Sequence, residues 1–268
     1  TGNQISAGTL NFYITNLKIA LEFFNKPVSK LTPKDTEKLC ESLIKNELIY
    51  TIDRKNSEGK KVKEKHSYSE TGKIKIKNTL IKFLEWKLKD KANSYTKILE
   101  VKPRLKEPTV DYMTEVQAEK LYKSSVTNEE RFFTAVLYDT GARAEEFHNI
   151  RFEDIELPKK DANFVKITLK EEYSKTKGRT VGLYWKYSLS AVRDYLDERI
   201  REGIQPDEPV FKRKYKTMRK WLNDFGKKVL GRHVYYHLYR HSSALLYADK
   251  LNRQQLCIRY GWAFRSPM

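Results

Sequence analysis

Apolar positions follow a helical period through most of the first hundred residues. A first helix is predicted by apolar residues that stand three or four positions apart, at Leu10, Ile14, Leu17, Leu21 and Phe24. A second is predicted from Thr32, which is followed by Pro33 at the first helical position and Asp35 at the third. A third has its apolar side at Ile76, Leu80, Phe83 and Leu84. Residues 53–73 are rich in Lys, Glu, Ser and Gly, and their low apolar content predicts a mobile loop.

The pattern changes after residue 100. Residues 101–113 contain two prolines and show no helical period, so they are predicted to link two domains. A capping box at Thr114 and Gln117 predicts the next helix, and a capped segment that ends at Gly141 predicts another. Two short strands are predicted at 164–170 and 179–185, on either side of a polar turn. Helical patterns resume at 188–202, 214–229, 238–250 and 252–259.

This order of elements predicts a mainly α protein with two domains. A small helical domain over residues 1–100 would precede the linker, and a larger α+β domain with a β-hairpin would occupy residues 114–268. The length of 268 residues is sufficient for two domains. The two cysteines, Cys40 and Cys257, lie in apolar helical patterns, which predicts reduced core residues and a cytoplasmic protein.

The chain is strongly basic, with 53 Lys and Arg against 35 Asp and Glu and a net charge of +18. Residues 1–100 carry 20 basic and 12 acidic residues, and the remainder carries 33 and 23, so the excess is not confined to a tail. Such a distribution favours a polyanionic partner, with nucleic acid ahead of a membrane surface. A highly charged surface of thermophilic or lysine-rich origin is the alternative. No apolar run approaches membrane-spanning length, so no membrane partner is expected.

Two arginine-containing motifs stand nearly a hundred residues apart. Arg143 follows the glycine of "TGAR" and precedes Glu146 by three positions, and Arg240 lies inside "HLYRHS". A surface Arg–Glu pair would account for the first motif alone. Together, two guanidinium groups could grip the oxygens of one phosphate, because each can bind bidentately.

The same histidine-rich stretch also offers possible metal ligands. His233, His237 and His241 are spaced four residues apart, which on a helix would align them on one face. The residues before His237 are mostly β-branched or aromatic, so a helix is not expected there. No cysteine or carboxylate stands close by to complete a zinc set, and no metal is expected.

Taken together, these motifs resemble those of the tyrosine recombinases, or phage-type integrases. The first signature of the family is matched by Thr140, Gly141, Arg143 and Glu146, and the second by His237, Arg240, His241 and Ser242. The third is matched by Gly261 and Trp262, and the lysine of the family's β-hairpin by Ser174-Lys175-Thr176. Order and spacing agree along residues 114–268, and the N-terminal region resembles the family's helical, SAM-like core-binding domain.

The resemblance implies a role for each matched residue in cutting DNA without a metal, ATP or any other cofactor. Arg143 and Arg240 would hold the non-bridging oxygens of the scissile phosphate, and His237 would add a hydrogen bond. The hairpin lysine would protonate the leaving 5′ oxygen. Lys175 is the candidate for this general acid, and Lys177 remains the alternative.

Two further residues are expected to support that site. Trp262 can donate only through its indole N–H, so it cannot transfer a proton as a histidine would. Glu146 is expected to orient Arg143. The resemblance places the nucleophilic tyrosine beyond Met268, because Tyr239 lies inside the second signature and Tyr260 precedes the third. The chain as given is therefore expected to bind DNA without forming a covalent bond to it.

The resemblance also implies partners and an assembly. Strands would be exchanged through a 3′-phosphotyrosyl intermediate on double-stranded DNA at specific recombination sites, by a tetramer in the host nucleoid. A mobile-element integrase, of an archaeal virus or plasmid, is the favoured type. A type IB topoisomerase that relaxes supercoils as a monomer, and a truncated recombinase that binds DNA without catalysis, remain open alternatives.

A second DNA contact is expected in the predicted loop. Its basic cluster consists of Arg54, Lys55, Lys60, Lys61, Lys63 and Lys65. These side chains are expected to contact backbone phosphates and to become ordered only on DNA. The alternative is a solvated charged loop that touches nothing.

Overall fold

The computed structural model describes residues 5–55, 60–101, 110–158, 164–174 and 177–264, except for the side chain of Lys55. The chain divides into two compact units, residues 1–107 and 108–268. Eleven α-helices and two small antiparallel sheets occur in the described ranges. The mainly helical α+β fold class expected from the sequence is confirmed.

The first unit packs four helices around one apolar core. The helices are α1 (Ala7–Phe24), α2 (Pro33–Ile44), α3 (Glu70–Leu88) and α4 (Asn93–Leu99). The fully buried core side chains are Ala20, Leu39, Leu43, Ile76, Leu80, Leu84 and Leu99. Thr32 and Asp35 form the predicted capping box of α2. The apolar stripe of α1 is only partly covered, since Leu10 and Ile14 are each about half exposed.

Two strands replace most of the predicted loop. β1 (Ile49–Lys55) and β2 (Lys61–Ser67) pair antiparallel, and α3 already begins at Glu70. The prediction of a mobile loop over residues 53–73 is therefore wrong, although residues 56–59 of that segment lie outside the described residues. In β2 the single apolar residue, Val62, stands among charged and polar ones, so the strand shows no apolar alternation and the pattern concealed the ribbon.

The second unit contains the remaining elements. The helices are α5 (Glu115–Ser124), α6 (Asn128–Thr140), α7 (Ala144–His148), α8 (Ser188–Arg201), α9 (Tyr215–Leu230), α10 (Tyr236–Ala248) and α11 (Arg253–Tyr260). The strands are β3 (Ile155–Glu156), β4 (Val165–Leu169) and β5 (Arg179–Leu183), in the order β3-β4-β5. The predicted hairpin is the β4–β5 pair, and β3 extends it to three antiparallel strands.

Helix α6 runs through the centre of the second unit. Every residue from Phe132 to Thr140 is buried, and α8 and α10 pack against the helix. It ends at Gly141 in the left-handed conformation, with φ +55°. A Cβ atom there would lie 2.5 Å from the ring of Tyr260, so the close approach of α11 also requires glycine.

The last residues of the expected linker belong to the second unit. Met113 is 1% exposed, and its amide donates to Ser242 Oγ at 2.7 Å. Cys40 and Cys257 are buried free thiols. None of the helices in the described part of the chain is both long enough and apolar enough to cross a membrane.

Candidate active site

Three arginines converge on the C-terminal end of α11. Arg179, Arg240 and Arg143 donate to the carbonyl oxygens of three consecutive residues, 259, 260 and 261, at 2.9, 2.6 and 3.2 Å respectively. Carbonyls in the last turn of a helix lack intrahelical partners and carry partial negative charge. The end of α11 therefore orients guanidinium groups that come from three other elements of the chain.

Arg240 is the most enclosed of the three arginines. It lies on α10, is 6% exposed, and donates through its second terminal nitrogen to the carbonyl of Gly141 at 2.7 Å. Burial lowers the pKa of Arg240 to about 10, and the nearby charges of Arg143 and Arg179 lower it in the same direction. The side chain of Arg240 remains cationic at neutral pH. Arg143 and Arg179 add two further positive charges close to it.

Glu146 is the acidic centre of this arginine cluster. Its carboxylate accepts from the amide and a guanidinium nitrogen of Arg143 at 3.0 and 2.8 Å, and from two nitrogens of Arg179 at 3.2 and 2.7 Å. Ser174 Oγ adds a hydrogen bond at 2.7 Å. Burial alone would raise the pKa of Glu146, but these hydrogen bonds and the charge of Arg179 hold it well below its ordinary range. The carboxylate stays ionised and fixes both arginines.

A second buried ion pair, between Arg259 and Asp139, involves a residue in the last turn of the same helix. Arg259 donates to the carbonyl and carboxylate of Asp139, at 2.6 and 3.0 Å, and to the carbonyl of Gly182 at 2.9 Å. Its guanidinium lies 3.7 Å from the centre of the Tyr247 ring. Burial raises the pKa of Asp139, while hydrogen bonds from Ser188 and Tyr247 and the charge of Arg259 act against that rise. The pair joins α6, α11 and β5.

Two histidines and a tryptophan border the arginines. His237 is exposed in the first turn of α10, one turn before Arg240, so the two residues share a helical face. The His241 ring lies 6.1 Å from that of His237, and burial together with the charge of Arg240 lowers the pKa of His241. Trp262 stacks on Tyr260 at 4.8 Å, and its ring centre is 5.8 Å from the Arg240 guanidinium.

A cavity of about 590 Å³ opens beside the cluster. Its lining includes Lys177, Arg179, Cys257, Gly261, Trp262 and Phe264. Residues at and just before the start of β5 thus form the basic side of the cavity, and α11 together with the residues that follow it forms the rest.

The structure brings together only part of the predicted site. Arg143, Arg240 and Trp262 meet at the end of α11, and the position of His237 on α10 directs it toward the same face. Lys175 lies outside the described residues. Lys177, the alternative general acid, is exposed at the rim of the cavity. The basic residues between 54 and 65 belong to the other unit.

Sequence reasoning missed three buried charges in the site. Arg179, Arg259 and Asp139 lie outside the arginine and histidine motifs, and their partners are 33 to 120 residues away. One signal was available. Asp139 stands in an otherwise apolar run of a helix, and a charge at such a position needs a buried partner.

The arrangement does not favour the zinc alternative. Helix α10 begins at Tyr236, so His233 precedes the helix and stacks on Tyr235 instead. Across the residues that the structure describes, no group of three metal-binding side chains is present. The chemistry available at this site is that of several fixed guanidinium groups around one carboxylate.

Comparison with known proteins gives one family match. The model of the phage integrase family matches residues 111–262 of this chain. A tyrosine recombinase, XerA of Saccharolobus solfataricus, is 24% identical over 239 residues, which cover 89% of this chain and 72% of XerA.

Solved structures share the fold. The XerH site-specific recombinase, bound to palindromic difH substrate in a post-cleavage complex, has a TM-score of 0.66 at 17% identity, with 96% of this chain and 73% of XerH covered. A lambda integrase tetramer bound to a Holliday junction has a TM-score of 0.61 at 15% identity, with 97% and 73% covered. At these identities the likeness establishes the architecture alone.

Proposed function

Because the chain belongs to the phage integrase family, we propose that it is a site-specific recombinase that breaks and rejoins DNA through a 3′-phosphotyrosyl intermediate. Its partner is double-stranded DNA at specific sites. The DNA-bound structures of XerH and lambda integrase, the latter a tetramer, support DNA as substrate and a four-subunit assembly for this protein. The lysine-rich composition and Trp262 in the third signature favour the integrase of an archaeal mobile element.

One observation carries the proposal: protein acceptors fix both Arg143 and Arg240. The carbonyls of Gly141 and Tyr260 hold Arg240, and the carbonyl of Gly261 together with the Glu146 carboxylate holds Arg143. Arg240 uses two of its five N–H donors on the carbonyls of Gly141 and Tyr260, and no other described residue accepts from it. The remaining donors can bind the non-bridging oxygens of a phosphate. Such preorganised donors stabilise a charged transition state without reorganisation, and loss of one typically costs about 10²–10³ in rate.

The chemical step requires three groups besides the two arginines: a tyrosine, a lysine and a histidine. A tyrosine hydroxyl releases its proton to solvent as its oxygen attacks the phosphorus and a new P–O bond forms. The bond to the 5′ oxygen breaks, and that oxygen takes a proton from a general acid, which solvent then reprotonates. We assign the proton transfer to Lys175, with Lys177 as the alternative, and a hydrogen bond to the phosphate to His237. Trp262 packs beside Arg240. The reverse reaction rejoins the strand and needs no external energy source.

We further propose that none of the tyrosines in this sequence is the nucleophile. Two tyrosines adjacent to the arginines support this. Tyr260 is fully buried with its hydroxyl 2.9 Å from Ser243 Oγ, and burial raises its pKa. Tyr239 is also fully buried, and burial raises the pKa of its hydroxyl. Neither hydroxyl can reach a phosphate held by Arg143 and Arg240 without unpacking the core.

The test uses a nicked suicide substrate, on which cleavage releases a short strand and traps any covalent intermediate. The 268-residue chain is expected to bind the substrate in a mobility-shift assay but to give no covalent band on a denaturing gel. A longer chain that supplies a tyrosine after Trp262 is expected to give the band, and replacement of that tyrosine by phenylalanine removes it.

Two results would contradict the proposal. A covalent band from the 268-residue chain would show that one of its own tyrosines attacks, and phenylalanine variants would then identify it. A longer chain that binds its site but never forms the adduct would favour a DNA-binding protein without catalysis.

A further inference from the structure

The ribbon of β1 and β2 has two chemically different faces. Side chains alternate between the faces of a strand, and directly paired residues of antiparallel strands share a face. The pairing of Thr51 with Lys65 and of Asp53 with Lys63 places Lys61, Lys63 and Lys65 on one side. We call this side the lysine face. The opposite face carries Tyr50, Ile52, Arg54, Val62, Glu64 and His66.

The charges of the lysine face are open to solvent. Lys61, Lys63 and Lys65 are all exposed, and no side-chain hydrogen bond or ion pair joins any of the three ammonium groups to another described residue. Asp53 is paired directly opposite Lys63 in the ladder, yet no ion pair forms between them. Nothing within the described chain neutralises these three charges.

The opposite face is internally compensated. Arg54 lies 3.3 Å from a Glu64 oxygen that His66 Nε2 also approaches at 3.2 Å. Tyr50 packs between His66 and Tyr68, with ring centres 5.8 and 4.9 Å apart, and Tyr68 packs against the apolar core of the first unit. These contacts hold the ribbon by one face and leave the lysine face outward.

We propose that the lysine face binds the phosphate backbone of duplex DNA without reading its sequence. The inference rests on the proposed function in that DNA is the substrate, and it assigns a separate contact in the first unit. Lysine is a flexible point charge that neutralises a phosphate but lacks the planar fork that recognises a base edge. Alternate positions on an antiparallel strand lie about 6.8 Å apart, which matches the rise of two nucleotides along one DNA strand.

Not every residue of the basic cluster between positions 54 and 65 lies on the lysine face. Arg54 is excluded from the contact, because its charge is paired with Glu64 on the other face. Lys60 precedes β2 and is exposed, and the side chain of Lys55 is not described. Lys61, Lys63 and Lys65 are the described lysine side chains that the strand pairing places on this face, and each should contribute one phosphate contact.

The test compares two substitutions that change the net charge equally and lie on neighbouring positions of opposite faces. Lys63→Gln removes a charge from the lysine face, and Arg54→Gln removes one from the compensated face. Affinity for a short duplex is measured against salt concentration, with the recombination site and an unrelated sequence as two probes. The log–log slope is expected to fall by about 0.9 for Lys63→Gln and to stay unchanged for Arg54→Gln.

A triple variant extends the comparison. Replacing Lys61, Lys63 and Lys65 by glutamine is expected to reduce the slope by about 2.7, equally on both duplexes. Because all three side chains are exposed, circular dichroism and thermal unfolding of the variant should match those of the wild type.

Each contrary result overturns a stated claim. Equal slopes for Lys63→Gln and Arg54→Gln would show that the ribbon acts only through its total charge and that the lysine face makes no specific contact. A change in slope seen only with the recombination site would show that the lysine face recognises base sequence and not the phosphate backbone alone. A wild-type chain that binds neither duplex would overturn the proposed function as well, whereas normal binding with no effect of the triple variant overturns the ribbon contact alone.

Discussion

The two units hold their positive charge in opposite ways. In the second unit Arg240 is nearly inaccessible, and its guanidinium is fixed by two backbone carbonyls. In the first unit Lys61, Lys63 and Lys65 are exposed, and no described residue fixes them. Both surfaces are suited to bind a phosphate, but only the arginines of the second unit are fixed in one geometry. The difference indicates chemistry at one surface and affinity at the other.

The two surfaces differ in the free-energy cost of burying their charges during folding. Burying a guanidinium is costly unless hydrogen bonds and an opposite charge compensate it, and the second unit supplies both through the end of α11 and Glu146. That cost is borne once, during folding, so no reorganisation is needed when charge develops on a phosphate. Exposed lysines keep their hydration and bind through counterion release, which salt weakens.

The largest expected effect comes from Arg240→Lys. A lysine keeps the charge but has only three donors, so binding the carbonyls of Gly141 and Tyr260 would leave at most one for a phosphate and no bidentate grip. We expect strand cleavage to fall by about 10²–10³, measured on the suicide substrate with the longer chain that supplies a tyrosine after Trp262. Affinity for the uncut site should change little, because many other basic residues bind phosphates.

The control for that substitution is the triple glutamine variant of the lysine face. It should weaken binding while leaving the cleavage rate of bound DNA unchanged. If Arg240→Lys reduced DNA binding and cleavage equally, the arginine cluster would act in binding, as the lysine face does, and not specifically in the chemical step.

A second prediction concerns the turn that carries the first signature. Gly141→Ala places a methyl group 2.5 Å from the Tyr260 ring and requires a left-handed backbone. We expect the free energy of unfolding of the second unit to fall by about 3 kcal/mol, the sum of backbone strain and overpacking. Urea denaturation followed by tryptophan fluorescence measures the loss.

Gly231→Ala is the matched control for Gly141→Ala. Gly231 also has a positive φ, of +68°, but nothing lies within 4 Å of its Cβ position. The substitution should cost about 1 kcal/mol from backbone strain alone. Similar losses for both variants would mean that the packing of α11 against Gly141 tolerates a methyl group.

Glu146→Gln tests the acidic centre of the cluster through its pH dependence. Hydrogen bonds from Arg179 and Ser174 hold the pKa of Glu146 far below 4.5, its value in an unfolded chain. The carboxylate therefore contributes stability that is fully present above about pH 5 and is lost as pH falls below 4.5 toward the folded pKa. We expect the variant to lose about 2 kcal/mol at pH 7, with the gap to wild type narrowing as pH falls from 4.5 toward 2. A gap that stays constant over this range would contradict the ionised state.

Local signals predicted most of the helices. Thr114 with Gln117 and Thr32 with Asp35 form capping boxes, Gly141 ends α6, and the strands β4 and β5 fall within the predicted segments. Each of these features depends on residues within a few positions of one another, so a single sequence contains the information.

The ribbon and the buried charges could not be predicted in the same way. In β2 both faces are polar, so the register with β1 depends on pairing rather than on an apolar alternation. Arg179 and Arg259 acquire their roles from Glu146 and Asp139, which lie 33 and 120 positions earlier in the chain. Only the folded arrangement shows that a charge is satisfied, whereas the arginines of the two signatures were found through their resemblance to a family.

The smallest expected effect is a gain in DNA affinity, obtained by removing a negative charge from the lysine face. Asp53 is the acidic residue that the ladder places on that face, directly opposite Lys63. Its charge should repel a phosphate bound there, although solvent screens exposed charges and limits the effect to about 0.5 kcal/mol. Asp53→Asn is thus expected to tighten duplex binding about twofold at low salt, and the gain should fade as salt rises. Glu64→Gln removes an equal charge from the compensated face at a neighbouring position. It frees Arg54 from its ion pair, but the strand pairing places Arg54 on that same face, away from the lysines, so affinity should stay within error of the wild type. Titration of both variants against a fluorescent duplex measures the difference. Equal gains from the two substitutions would show that DNA senses only the net charge of the ribbon, and the distinction between its faces would then have no part in binding.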